Sequence, residues 1–208
     1  MSRAEARRGR FVVFEGGEGS GKSTQAALLA QRLDALLTRQ PGGTRLGAAL
    51  RRILLDGAEG EVAARAEALL MAADRAQHVA EVIRPALDAG RDVVCDRYIG
   101  SSVAYQGHGR GLDPARVADI SGWAVEGLLP DLVVLLVVDD ETALARTGGP
   151  RDRIEAAGDG FHERVHAGFA AQAAADPGRW VVLDGSGTVE QVAGRVAAAV
   201  GDRLGGPA

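Results

Sequence analysis

The sequence contains no asparagine and a single cysteine, and of its 24 basic residues only Lys22 is a lysine. Each scarcity excludes something. A lone Cys95 rules out an internal disulfide framework and any cysteine-rich zinc site. It reads instead as a small hydrophobe filling strand space. Without Asn and a second Lys, the chain cannot carry the N-K-x-D motif by which GTPases read guanine. The longest uninterrupted apolar run, Leu132 to Val138, is too short to cross a bilayer, which takes ~20 residues. The apolar start Phe11-Val12-Val13-Phe14 is stopped by Glu15 before it reaches signal-peptide length. With neither export signal nor span, the cytoplasm is the expected compartment, with no membrane partner. Net positive charge is missing as well. The formal charge is −4, which argues against nucleic acid as a partner.

What is present suits one globular domain spanning residues 1–208. Hydrophobic residues make up 46% and charged residues 25% of the chain, enough to bury a core without covalent staples. Residues 1–9, with Arg3, Arg7 and Arg8, are expected to be a solvated, flexible tail.

Apolar runs alternate with helical periodicity. Strands are predicted at Phe11–Phe14, Leu36–Arg39, Asp92–Asp96, Leu132–Val138 and Trp180–Leu183. Helices are predicted at Lys22–Leu33, Thr44–Asp56, Val62–Ala89 (one long helix or two, with Pro85 as a kink point), from Asp113-Pro114 onward, and at Val189–Leu204. Strands alternating with helices imply an α/β fold with a five-stranded parallel sheet flanked by helices. Ligands then sit at the carboxyl ends of the strands.

The strongest motif falls at such an end. Gly16-Gly17-Glu18-Gly19-Ser20-Gly21-Lys22-Ser23, followed by Thr24, fits the phosphate-binding pattern G-x-x-x-x-G-K-[ST] between a strand and a helix. Glycines let successive N–H groups face one anion, and the helix adds its positive end. Lys22 would reach the outer phosphates of ATP, and Ser23 would help hold Mg²⁺. A compact lysine charge is not replaceable by arginine here. The loop alone does not name a reaction. A partitioning-type ATPase also uses it, with an apolar strand ending in acid; both Val134–Glu141 and Val93–Asp96 fit that description.

The next segments narrow the choice. Arg39-Gln40-Pro41-Gly42-Gly43-Thr44 follows the second strand and Asp96-Arg97-Tyr98 the third. Then comes Ser101-Ser102-Val103-Ala104-Tyr105-Gln106-Gly107. With these motifs in this order after a phosphate loop, the chain resembles the thymidylate kinase family from Phe11 to the last helix. The resemblance implies a P-loop nucleoside-monophosphate-kinase fold, a short lid near residues 146–160, a homodimer, and transfer of the γ-phosphoryl of MgATP to dTMP. It further implies that Arg39 and Arg97 clamp the dTMP phosphate and that Glu18 approaches the 3′-hydroxyl. Arg75, Met71, Ser101, Ser102 and Gln106 would contact the base, with Tyr105 by the sugar. Asp96 would act through the Mg²⁺ shell. The lid arginines Arg146, Arg151 and Arg153 would meet charge on the transferred group, since Gly19 leaves the loop without an arginine. A deoxynucleoside kinase of similar fold would not need Arg39 and Arg97.

Three positions depart from the family: Gln40 stands where Glu is usual, Met71 where Phe is frequent, and the segment before Arg39 is short. Two other patterns look like motifs. His162-Glu163-Arg164-Val165-His166 matches the zincin H-E-x-x-H, but reads as partly exposed positions of a helix after the lid. Gly107-His108-Gly109-Arg110-Gly111 has dinucleotide-loop spacing without a preceding strand and is expected to be a flexible connector.

Overall fold

A computed structural model of the protein describes residues 7–56, 60–147, 154 and 159–205. Five strands, β1 (Phe11–Gly16), β2 (Leu36–Arg39), β3 (Val93–Asp96), β4 (Leu132–Val137) and β5 (Trp180–Asp184), form one parallel sheet in the order β2-β3-β1-β4-β5. β1 is central and every residue of it is buried. Its alternation decides what covers each face. Val12 and Phe14 pack with Leu29 of α1 (Lys22–Leu33) and Val192, Val196 and Val200 of α9 (Val189–Leu204). Phe11 and Val13 pack on the other face with Val79, Ile83, Leu87 and Cys95. Register sets Phe14 beside Asp96 and Gly16 beside Leu136. The ends of β1, β3 and β4 therefore open on one edge.

Thr44 caps α2 (Arg45–Leu55) by accepting from Gly47 N, and Asp113 caps α6 (Pro114–Ala124), which opens on its proline. The long helix predicted after residue 62 is observed as α3 (Ala64–His78), a π-helical stretch (Val79–Ile83) and α4 (Arg84–Asp88). The widened stretch ends two residues before Pro85, whose ring lacks an N–H and crowds the carbonyl four residues back. The short second strand lies at the sheet edge, where its shortness removes little core.

Two expectations are corrected. Of the expected connector at residues 107–111, only Arg110 and Gly111 form a turn, and residues 107–109 are helical. The latter end a second π-helical stretch (Val103–Gly109) that continues α5 (Ile99–Ser102), with Gly107 and Gly109 buried. Side chains at these glycines would meet Pro114 and Phe161, so glycine is what lets α6 and α8 (Asp159–Ala175) approach. The end of the expected tail is also fixed. Gly9 is buried and its N–H donates to Leu87 O, while Arg8 pairs with Asp131 at 3.1 Å. A further helix, α7 (Asp140–Arg146), follows β4 and is capped by Asp139. Among the described residues, no helix is long and apolar enough to cross a membrane.

Candidate active site

The strand ends border a cavity of about 720 Å³. Around it stand Glu18, Gly19, Ser20, Gly21, Lys22, Ser23 and Thr24 of the loop, then Arg39, Met71, Arg75, Asp96 and Arg97. Ser101, Ser102, Tyr105, Gln106 and Arg146 also border it. Gly16 and Gly17 shape the loop behind this lining. Arg151 and Arg153 lie outside the described residues.

On the donor side the chain uses mostly backbone. Lys22 Nζ donates to Gly17 O at 2.5 Å and to Ser20 Oγ at 3.3 Å. Burial, and then the charge of Arg97, lower its pKa to about 7. An anion beside it would restore the charge. Gly19 has φ of 68°, and a Cβ there would strike the backbone of Ala143 in α7. A loop arginine at this position is thus excluded by α7 as well as by sequence. Arg146, at the end of α7, donates instead to the carbonyls of Gly19, Gly185 and Gly187.

Ser23 Oγ donates to Asp96 Oδ2 at 2.5 Å. The other oxygen, Asp96 Oδ1, is buried without a hydrogen-bond partner. Of the two acid-ended strands, the one after β4 begins with Asp139, which caps a helix, whereas Asp96 stands beside the phosphate loop.

The acceptor side is built from side chains. Arg97 holds φ of 68°, an uncommon backbone for a residue with a Cβ. Glu15 fixes that turn: it accepts from Tyr98 N (2.9 Å), Ser101 N (3.0 Å) and Ser101 Oγ (2.6 Å). Burial raises the Glu15 pKa, offset in part by the Ser101 hydrogen bond. Arg97 donates to Gly16 O and Ser101 Oγ and lies over the Tyr105 ring, 5.2 Å from its centroid. Arg39 is exposed at the end of β2.

Deeper in, Arg75 is only 2% exposed. It donates to Gln40 Oε1, Ser121 Oγ, Ser102 Oγ and Tyr98 O, at 2.8 to 3.1 Å. Gln106, which borders the cavity, donates from Nε2 to Glu67 Oε1, while its Oε1 is buried without a partner. Met71 stands partly buried beside them.

These observations meet in a nucleotide-sized cleft with a phosphate loop at one end and buried polar readers at the other. A thymidylate kinase family model matches residues 14–196. The chain belongs to the thymidylate kinase family. Thymidylate kinase of Leifsonia xyli subsp. xyli is 53% identical over 204 residues, covering 94% of this chain and 96% of that protein. The enzyme of Solidesulfovibrio magneticus is 49% identical, covering 93% and 100%. The solved structure of thymidylate kinase from Ehrlichia chaffeensis superposes with a TM-score of 0.78 at 31% identity, covering 93% of this chain and 98% of that one. The parallel-sheet architecture is therefore that of the family.

Some residues of this site carry no motif signal. Glu15 reads in sequence only as the charge that ends an apolar run. Arg51 of α2 borders the cavity and donates to Pro41 O at 3.0 Å. Asp74 accepts from Gly42 N, and His78 lies buried beneath Gly43. An acid or histidine on the inward face of a helix is visible from periodicity, but not its partners. His162 is half-buried and His166 exposed.

Proposed function

We propose that this protein transfers the γ-phosphoryl group of ATP to dTMP, giving dTDP and ADP. The observation that carries the reading is the pairing, in one cavity, of a phosphate loop with a base site of matched polarity. Both Arg75 and Gln106 border the cavity; Arg75 keeps one N–H outside its four bonds, and Gln106 Oε1 has no partner. Thymine presents a carbonyl beside its N3–H, which suits that donor–acceptor pair. Cytosine reverses both groups, and each mismatch would strand a buried polar atom.

Arg39 and Arg97 are the phosphate clamp in this reading, since two guanidinium forks match a phosphate dianion. Glu18 and Tyr105 line the cavity, and in this reading Glu18 meets the sugar hydroxyl while Tyr105 walls the sugar. The dTMP oxygen attacks the γ-phosphorus in line, with no covalent enzyme intermediate. Lys22 meets charge on the transferred group. Arg146, Arg151 and Arg153 are proposed to join it as the lid closes over ATP.

Mg²⁺ is part of this proposal. The bare Asp96 Oδ1 and the Ser23 hydroxyl beside it form an oxygen donor set of the sparse kind Mg²⁺ takes up together with substrate phosphates. When bound, the ion would supply neutralising charge on the phosphates. Chelation with EDTA should abolish turnover, and added Mg²⁺ should restore it.

We also propose a cytoplasmic homodimer. In support, α3 and α6 pack together and leave Leu69, Ile120 and Trp123 exposed, Trp123 to 83%. Trp123→Asp should shift the sedimenting species toward monomer.

Coupled ADP release, with ATP and each acceptor in turn, tests the reaction. dTMP should give the highest kcat/KM. dUMP, lacking one methyl, should be poorer by roughly 10–200-fold, and dCMP poorer still. A rate with dTMP no higher than without acceptor would reject the reading in favour of an ATPase. Preference for thymidine over dTMP would indicate a deoxynucleoside kinase.

A further inference from the structure

Arg75 is a buried cation held only by neutral acceptors: an amide, two hydroxyls and a carbonyl. The residue on its Nε side is Gln40, where the resembled motif has glutamate. The exchange matters physically. A carboxylate presents oxygen on both sides and accepts from arginine however it is turned. An amide has one accepting and one donating face, and with its NH₂ toward arginine it would oppose donor to donor. Something must therefore choose the face.

The far side of Gln40 meets His78. Gln40 Nε2 lies 2.9 Å from His78 Nδ1, and His78 Nε2 lies 2.6 Å from Thr38 Oγ1. Arginine can only donate, so the direction of the whole chain follows. Arg75 Nε–H gives to Gln40 Oε1, Gln40 Nε2–H gives to a bare His78 Nδ1, and His78 Nε2–H gives to Thr38. Only the neutral, Nε2-protonated ring completes it. The ring is fully buried, and burial together with the Arg75 charge favours the neutral form. It sits beneath Gly43, where any side chain would overlap the imidazole. Pro41-Gly42-Gly43 thus makes room for the histidine as well as turning the chain.

We propose that His78 is a positioning residue of the acceptor site. By accepting from Gln40 it holds the amide oxygen on Arg75 and sets the plane of the guanidinium. Of the five guanidinium N–H groups, the four named bonds use four, leaving one on Nη1 for a ligand in the cavity that Arg75 borders. The inference rests on the reading of that cavity as the dTMP site.

The test compares His78→Leu with His78→Asn. The two replacements have similar shape, but only asparagine keeps an acceptor near the place of Nδ1. His78→Leu should raise KM for dTMP about tenfold, with kcat and KM for ATP nearly unchanged, and His78→Asn should stay within about threefold of wild type. Adding Gln40→Glu to His78→Leu should restore KM, because a carboxylate needs no orienting partner. Equal KM in the Leu and Asn variants, or a loss that Gln40→Glu leaves in place, would overturn the proposal. ¹⁵N NMR of the wild-type imidazole decides independently of any substrate and of whether a variant folds. The expected state is protonated Nε2 with bare Nδ1; an Nδ1–H tautomer or an imidazolium at neutral pH would reject the proposal. If wild type ignores dTMP but shows the expected tautomer, the functional reading fails and the hydrogen-bond chain stands.

Discussion

The two halves of the cleft are made of different material. At the donor end the groups that meet Lys22 and Arg146 are mostly carbonyls, of Gly17, Gly19, Gly185 and Gly187. At the acceptor end, side chains from distant segments interlock. Glu15 of β1 holds the Arg97 turn, Gln40 and Ser121 hold Arg75, and Glu67 holds Gln106. A backbone cradle is fixed by the sheet and tolerates loss of a side chain. A buried network loses both fit and stability when one member goes, because its partners are left desolvated. Donor-side substitutions should therefore change chemistry at constant stability, whereas substitutions within the buried acceptor network should change binding and stability together.

The largest effect expected is at Lys22. Lys22→Ala should lower kcat by about 10²–10³-fold, as loss of a group acting on transition-state charge does, with the melting temperature little changed. A near-normal kcat, or a large loss of stability, would break the contrast.

Within the acceptor half, exposure sharpens it. Arg39→Ala should raise KM for dTMP roughly 10–100-fold, the worth of a charge-assisted contact, and leave urea unfolding within about 0.5 kcal/mol of wild type. Arg75→Ala should raise KM and also destabilise the fold by about 2–4 kcal/mol, since four acceptors lose their donor. Equal stability of the two variants would contradict the network account.

Protons offer a finer test. His78 titrates near 4 in the fold, against an ordinary 6.5, because burial and then Arg75 disfavour its charge. Between those values the unfolded chain binds the extra proton. Its contribution is thus complete above pH 6.5 and lost as pH falls through 4, about 3 kcal/mol in all. Urea unfolding of wild type and His78→Asn across this range should show a shallower acid limb in the variant; parallel limbs would refute the assignment. The Lys22 pKa is lowered in the same direction, to about 7, and there ligand binding is the reporter. ATP phosphates should raise it, so binding near pH 8 should take up a fraction of a proton. Calorimetry in two buffers of different ionisation enthalpy would detect the uptake.

The same contrast explains what the sequence could disclose. The donor half was legible because a phosphate loop is contiguous: Gly16 to Thr24 sit together in the chain. All five strands were legible as short apolar runs between helices, most plainly where both faces are covered, as at Leu132–Leu136. The acceptor half was legible through its family motifs at Arg39, Arg97 and Gln106, but not through Glu15, Glu67 or His78. Their partners lie 38 to 86 residues away in the hydrogen bonds that define them. The glycine spacing at 107–111 suggested a connector because no strand precedes it, and glycine also lowers helix propensity. Close approach of α6 and α8 outweighed that propensity, which a single segment does not reveal.

The central claim is that the acceptor half is assembled before ATP arrives. Calorimetric titration of the ATP-free protein with dTMP tests it directly. The account expects saturable 1:1 binding whose Kd changes by less than about threefold with a non-hydrolysable ATP analogue, below the 5–150-fold of ordinary allosteric coupling. Binding of dTMP that is undetectable until the analogue is added would contradict it.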